Sequence, residues 1–203
     1  MEKRNFILPL HKACSTSTKE LRPIFKSIFL VNGYAYATCG HIIVKHPLRL
    51  SNFVDDISVT VPAQDGGYAD VVAIPAKSYE QMLTFDTAGL SREGVNCSSE
   101  DGRTAFFEYT NLTGVTIPDF DKTIKISVGR SIMLDCIGVS PEYLETAAKL
   151  LVGGSSGIKM QFTGIDKGIL ITPIDNDYDD QLVVVMPRII EPTLFGDNDK
   201  QDT

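Results

Sequence analysis

Residues 140–174 read SPEYLETAAKLLVGGSSGIKMQFTGIDKGILITPI, and two hydrophobic periods follow one another within them. Ser140 stands where a helix N-cap belongs, and Pro141 takes the first helical position, where a missing N–H leaves nothing unpaired. Tyr143, Leu144, Ala147, Ala148 and Leu151 then form an apolar stripe, with Glu142, Glu145, Thr146 and Lys149 facing away. Gly153 and Gly154 supply a helix stop. Beyond them, GIKMQFTG and ILITPI flank the turn Asp166-Lys167-Gly168 and read as a β-hairpin. QLVVVMP adds a further strand, so the unit is one short helix followed by antiparallel strands.

The same unit recurs toward the N-terminus. Pro9, Pro75 and Pro141 are evenly spaced, 66 residues apart, and each opens a short amphipathic helix. After Pro9 the apolar positions are Leu10, Ala13 and Cys14; after Pro75 they are Tyr79, Met82 and Leu83. Each helix is followed by a hairpin. The first is FKSIFLV and YAYAT around Asn32-Gly33, a pair suited to a turn that needs positive φ at both positions. The second is GVNCSS and RTAFFEYT around Glu100-Asp101-Gly102. HIIVKH closes the first unit as a strand, and a strand around Asn111 to Thr116 is expected to close the second. Hairpins and short helices, without long crossovers, predict an α+β fold of antiparallel sheets with the helices on one face. Arg49 to Asp70 reads as an exposed hairpin or loop, Pro118 to Lys125 as the boundary before the third unit.

Composition narrows the function. Nineteen basic residues against twenty-six acidic give a net charge of -7, so nucleic acid or an anionic membrane must be met by a local patch. No apolar run approaches the ~18 residues of a membrane span, and the apolar stretch Phe6 to Leu10 is shorter than the ~7–15 residues of a signal core. Cys14, Cys39, Cys97 and Cys136 lie far apart, which points to reduced thiols and a cytoplasmic location. Cys39 and His41 are spaced to share a strand face as nucleophile and base or as two metal ligands. No third orienting group accompanies them, and they read as packing and surface residues beside a tight turn. The acidic run Asp175, Asp177, Asp179 and Asp180 lacks the central glycine and terminal glutamate of a calcium loop. Gly153 to Gly157 follows a helix, the wrong context for a phosphate loop. No catalytic residue, metal site or cofactor is expected.

Four phrases, in order, resemble the bacterial DNA polymerase III β sliding-clamp family: LRPIFKSIFLVNGYAYATCGHIIVKHPL, VAIPAKSYEQML, RTAFFEYTNLTGVTIPDF, and VSPEYLETAAKLL with ILITPI and VVVMPRII. The resemblance implies a DNA-clamp-like fold of helix-plus-strand repeats, paired into domains that form a ring around duplex DNA. Residues 1–125 would be one complete domain of two repeats, 126–190 half of another, and 191–203 a flexible acidic tail. Ala37-Thr38-Cys39-Gly40-His41 resembles the family's Ala-Thr-Asp-Gly-His turn, with Cys39 in place of the aspartate and Ile42 in place of an arginine.

That turn and the C-terminal strand form the family's partner groove. Carried over, one wall is Thr38, Gly40, His41 and Ile43, and the other is Val184, Val185, Met186, Pro187, Arg188 and Ile189. Methionine, valine and isoleucine beside a proline suit the apolar end of a short peptide. Lys12, Lys19, Arg22, Lys26 and Lys77 are the candidate DNA contacts, reading phosphates and not bases. The implied function is a non-enzymatic processivity factor. Its partners would be double-stranded DNA and polymerases or other replication and repair proteins carrying clamp-binding peptides; the alternative is a peptide-binding module that no longer encircles DNA. Three repeats per chain would need four chains to match the family's twelve. Leu194-Phe195 resembles the end of a clamp-binding peptide and is a candidate internal competitor for the groove.

Overall fold

The computed structural model describes residues 8–48, 53–54, 60–62, 68–91, 93–129, 137–151, 157–164, 166–174 and 180–188. The first unit opens on a 3-10 turn at Leu10–Ala13, with a second 3-10 turn at Pro23–Phe25, and continues as β1 (Ser27–Val31), β2 (Tyr34–Thr38) and β3 (Ile42–Pro47). Two short strands follow, β4 (Phe53–Val54) and β5 (Thr60–Pro62). The second unit is β6 (Tyr68–Pro75), α1 (Ala76–Met82), β7 (Thr87–Leu90), β8 (Gly94–Ser98) and β9 (Thr104–Glu108). After α2 (Phe120–Ser127), the third unit is α3 (Pro141–Lys149), β10 (Ile158–Gln161), β11 (Ile169–Pro173) and β12 (Leu182–Val185).

The three expected hairpins form. Asn32 and Gly33 take φ of 50° and 78°, and Val31 pairs with Tyr34 across the two-residue turn. The helix after Pro9, expected as amphipathic, is only a 3-10 turn. Beyond it the Ser-Thr run satisfies backbone donors locally: Ser17 N–H donates to Ser15 Oγ and Lys19 N–H to Ser17 Oγ, both at 3.3 Å. In α3 the stripe shifts: Ala147, Leu150 and Leu151 are buried while Ala148 is exposed, and the helix ends at Lys149, ahead of Gly153 and Gly154, which lie outside the described residues. Ser140 occupies the N-cap position without a side-chain cap bond.

One expectation fails for a local reason. Asn111 to Thr116 is not a strand, because the Asn111 carboxamide accepts from Thr113 N–H at 2.9 Å and Gly114 turns the chain at φ 73°. Within Pro118 to Lys125, Asp119 accepts from Lys122 N–H at 2.9 Å and caps α2, a helix the sequence reading did not include. Of the hairpin or loop expected at Arg49 to Asp70, the described part pairs β5 with β6 as an antiparallel hairpin and β4 with β7.

Among the described residues, eight strands form one sheet in the order β10-β11-β12-β3-β2-β1-β6-β5, and β4-β7-β8-β9 form a second, with β4 and β7 parallel. The ladder between β12 and β3, pairing Val184 with Ile43 and Val185 with Ile42, joins the third unit to the first. The middle strands β1, β2, β3 and β12 are buried on both faces, so they read as nearly continuous apolar runs. Ile28, Leu30, Ala35, Ala37, Ile42, Val44, Val183 and Val185 point into a core shared with the first 3-10 turn, α1 and α3. Phe29, Tyr36, Ile43 and Val184 point the other way, onto Phe120 and Ile124 of α2. Helices therefore lie on both faces, where one was expected. No helix among the described residues is long and apolar enough to cross a membrane.

Candidate functional site

At the junction of β2, β3 and β12 lies a cavity of about 390 Å³, lined mostly by apolar groups. One wall is the turn after β2. The Thr38 hydroxyl donates to the Ile42 carbonyl at 2.7 Å and accepts from Gly40 N–H at 3.0 Å, which closes the turn on itself. Gly40 has φ 92°, a conformation that favours glycine, and the Phe25 ring lies 3.7 Å from where a side chain would begin. The other wall is the end of β12. Met186 N–H donates to the His41 carbonyl at 2.8 Å, extending the β12–β3 ladder by one residue onto the turn. Arg188 N–H donates to the Gly138 carbonyl at 2.8 Å and holds the chain beyond.

The candidate groove residues divide. Thr38, Gly40, His41, Ile43, Val184 and Met186 line the cavity. Val185 does not, because alternation along the strand turns it into the core shared with α1 and α3. Pro187 and Arg188 are not among the lining groups, and Ile189 lies outside the described residues. The rest of the lining has no counterpart in the sequence-based list: Ile42 at the start of β3, Ile24 and Phe25 from the turn before β1, Thr116 and Pro118 from the approach to α2, and Phe120, Thr123 and Ser127 from α2. The signal for α2 was present, in an Asp119 cap followed by Phe120 and Ile124 one helical turn apart.

Polar contacts pin α2 to the sheet. Asp121 accepts from Lys45 Nζ at 2.8 Å and from the Tyr36 hydroxyl at 3.1 Å, while Lys45 Nζ lies 4.1 Å from the centre of the Tyr34 ring. Partial burial pushes the Asp121 carboxyl upward, but the Lys45 ammonium and the Tyr36 hydroxyl outweigh it and hold the group below its ordinary range. Tyr36 in turn is pushed up by burial and by the Asp121 carboxylate. Its ring stacks on Phe120 at 4.7 Å. Behind Met186, Gly168 N–H donates to the Ser127 carbonyl at 2.7 Å and brings the third hairpin against α2.

The candidate DNA contacts are dispersed. Lys12, Lys19, Arg22 and Lys77 are exposed and Lys26 is half-buried. Arg22 already has partners: its guanidinium donates to both Glu20 oxygens at 2.9 and 2.8 Å and lies 4.3 Å over the Phe25 ring. The Arg22 hydrogen bonds hold the Glu20 carboxyl at about 2. On the helix layer Lys149 pairs with Glu145 at i, i+4, and His11 lies 3.8 Å from Glu80. Cys39 and His41 sit in the groove turn, and no group of three His, Cys, Asp or Glu among the described residues is arranged to hold a metal ion.

The fold, short helices on antiparallel sheets, is similar to that of solved sliding clamps. Solved structures sharing it include the β chain of DNA polymerase III from Streptococcus pneumoniae TIGR4 (TM-score 0.56, 14% identity, 90% of this chain and 62% of that one). Others are the Borrelia burgdorferi β subunit in complex with a natural product (0.61, 8%, 94% and 64%) and the Bartonella birtlesii DnaN sliding clamp bound to griselimycin (0.55, 17%, 90% and 63%). The chain thus spans less than two thirds of those clamps. No protein-family profile and no curated protein matches the sequence.

Proposed function

We propose that the chain is a non-enzymatic, sliding-clamp-like processivity factor that binds replication or repair proteins through a short apolar peptide. The cavity between the Thr38–Ile43 turn and the end of β12 carries this reading, since a concave apolar slot with few polar groups suits one or two peptide side chains. Sheet edges support assembly into a ring of copies. β9 and β10 each end a sheet, Phe106 on β9 is 49% exposed, and Ile174, next to the strand paired with β10, is 52% exposed. Griselimycin is the probe for the groove. It should bind the chain, and Met186→Ala, at the cavity wall, should weaken it. Binding that ignores Met186 would refute the groove.

The charge balance of the helix layer favours a second reading, a peptide-binding module without DNA encirclement. Lys12, Lys77 and Lys149 are matched in number by Glu80, Glu142 and Glu145 there, Lys149 pairs with Glu145, and Arg22 is engaged by Glu20. A ring should be retained on closed circular DNA and lost when the circle is cut. A salt-sensitive surface contact responds to ionic strength and not to topology. Charge reversal at Lys12, Lys19 and Lys77 should weaken DNA association only under the first reading.

A further inference from the structure

We propose that Cys14 and Cys39 are a redox site: on exposure to a low-molecular-weight disulfide the two thiols join in an intramolecular disulfide, which ties the first 3-10 turn to the turn after β2. The inference goes beyond the groove reading and stands without it. Cys14 directly follows the 3-10 turn at Leu10–Ala13, and its thiol donates to the Ser27 carbonyl at 3.6 Å. The ladder shows on which side of β1 that thiol sits. The Lys26 carbonyl accepts from Ala76 N–H at 2.8 Å and so faces the β6 side; carbonyls alternate along a strand, and that of Ser27 faces β2. Continuing the β1–β2 register, in which Phe29 is opposite Tyr36, places Ser27 opposite Thr38, the neighbour of Cys39.

Alternation along β2 brings the second sulfur to the same place. Ala37 points into the core shared with α1 and α3, and Thr38 lines the cavity on the opposite face. Cys39 returns to the face of Ala37, where it packs against the cluster that contains Cys14. Both thiols therefore lie on one face of the sheet, at the end of one ladder. Burial, and next the Cys39 thiol, push the Cys14 thiol up to about 12, as neighbouring sulfurs do. Cys39 is half-buried and Cys14 buried, which sets the order of events. The Cys39 thiolate attacks one sulfur of the small disulfide and expels the other half, which takes up the proton Cys39 has lost. Cys14 then attacks the Cys39 sulfur, and its proton passes to the second departing thiolate. Two protein thiols and one small disulfide become one protein disulfide and two small thiols, so the protein loses two electrons and the reagent gains them. Burial of Cys14 makes the second step the slow one.

The test incubates the full chain with glutathione disulfide at about pH 8, quenches with acid and maps the linked peptides by mass spectrometry, with Cys14→Ala and Cys39→Ala alongside. The folded parent should yield a Cys14–Cys39 link within one chain. Cys14→Ala should stop at a glutathione adduct on Cys39, and Cys39→Ala should leave Cys14 unmodified. Closing the loop between the two residues should raise the Tm of the oxidised parent by about 2–10 °C over the reduced chain, a rise absent from both variants. A parent that stops at the glutathione adduct, or in which Cys39 links to Cys97, Cys136 or a second chain, overturns the proposal. So does a Cys14–Cys39 link that forms only in urea, or one whose Tm is no higher than that of the reduced chain.

Discussion

Replacing Gly168 with alanine probes how tightly the back of the groove is packed. A β-carbon on Gly168 would overlap Val184 Cγ1 and lie 3.2 Å from the Ser127 carbonyl oxygen and 3.5 Å from Met186 Sδ. Val184 has little room to yield, being 1% exposed and fixed in the ladder opposite Ile43. A β-branched side chain escapes only by leaving its rotamer or shifting backbone, and overpacking of this kind costs about 1–3 kcal/mol. For a domain of this size that corresponds to a fall in Tm of about 2–12 °C. Thermal unfolding followed by circular dichroism, at one fixed protein concentration, measures it. In Gly168→Ala/Val184→Ala the overlapping methyl is gone, so the combined loss should fall short of the sum of the single losses by at least about 0.5 kcal/mol. A Tm within about 1 °C of the parent, against the fall expected from overpacking, would show that the groove wall is loosely packed.

Three further outcomes are expected. Asp121 has a depressed native pKa, so its contribution to stability is present above the unfolded value near pH ~4 and is lost as pH falls through the native one; the stability gap between parent and Asp121→Asn should therefore close below pH ~4, as measured by urea unfolding. Burial pushes the Cys14 thiol up to about 12 and Cys97 up to about 11, so brief alkylation of the folded chain near neutral pH, mapped by mass spectrometry, should label half-buried Cys39 ahead of both. If Leu194-Phe195 competes for the groove from within the chain, removing residues 192–203 should tighten griselimycin binding; an unchanged dissociation constant would dismiss the competitor.

Much of the local structure is legible because local chemistry decides it. Asn32-Gly33 specifies its hairpin through the backbone freedom of two residues, and the evenly spaced prolines mark where helices can start. Where side chains offered the backbone a nearby partner, that partner won over hydrophobic pattern, as at Ser15 to Lys19 and at Asn111. The helix at Phe120–Ser127 is legible from its Asp119 cap and apolar spacing, although Pro118 just before it marks a boundary. Of the cavity, the Thr38–Ile43 and Val184–Met186 walls were reached only through the family resemblance, and the wall built by α2 was not reached.

By itself the sequence determined the units: short helices, tight hairpins, and strands such as LVVVM whose successive apolar residues demand burial on both faces. It did not determine which strand lies beside which. Backbone donors and acceptors are alike in every strand, so β12 carries no local mark that it will pair with β3, more than a hundred residues earlier in the chain. Only the tertiary structure decided that pairing. The seam cavity, the backbone bond from Met186 to His41 and the stack of Tyr143 on His41 are likewise products of distant segments meeting once the chain has closed. Their energies come from burial and complementary shape between distant segments, which no window along the sequence contains.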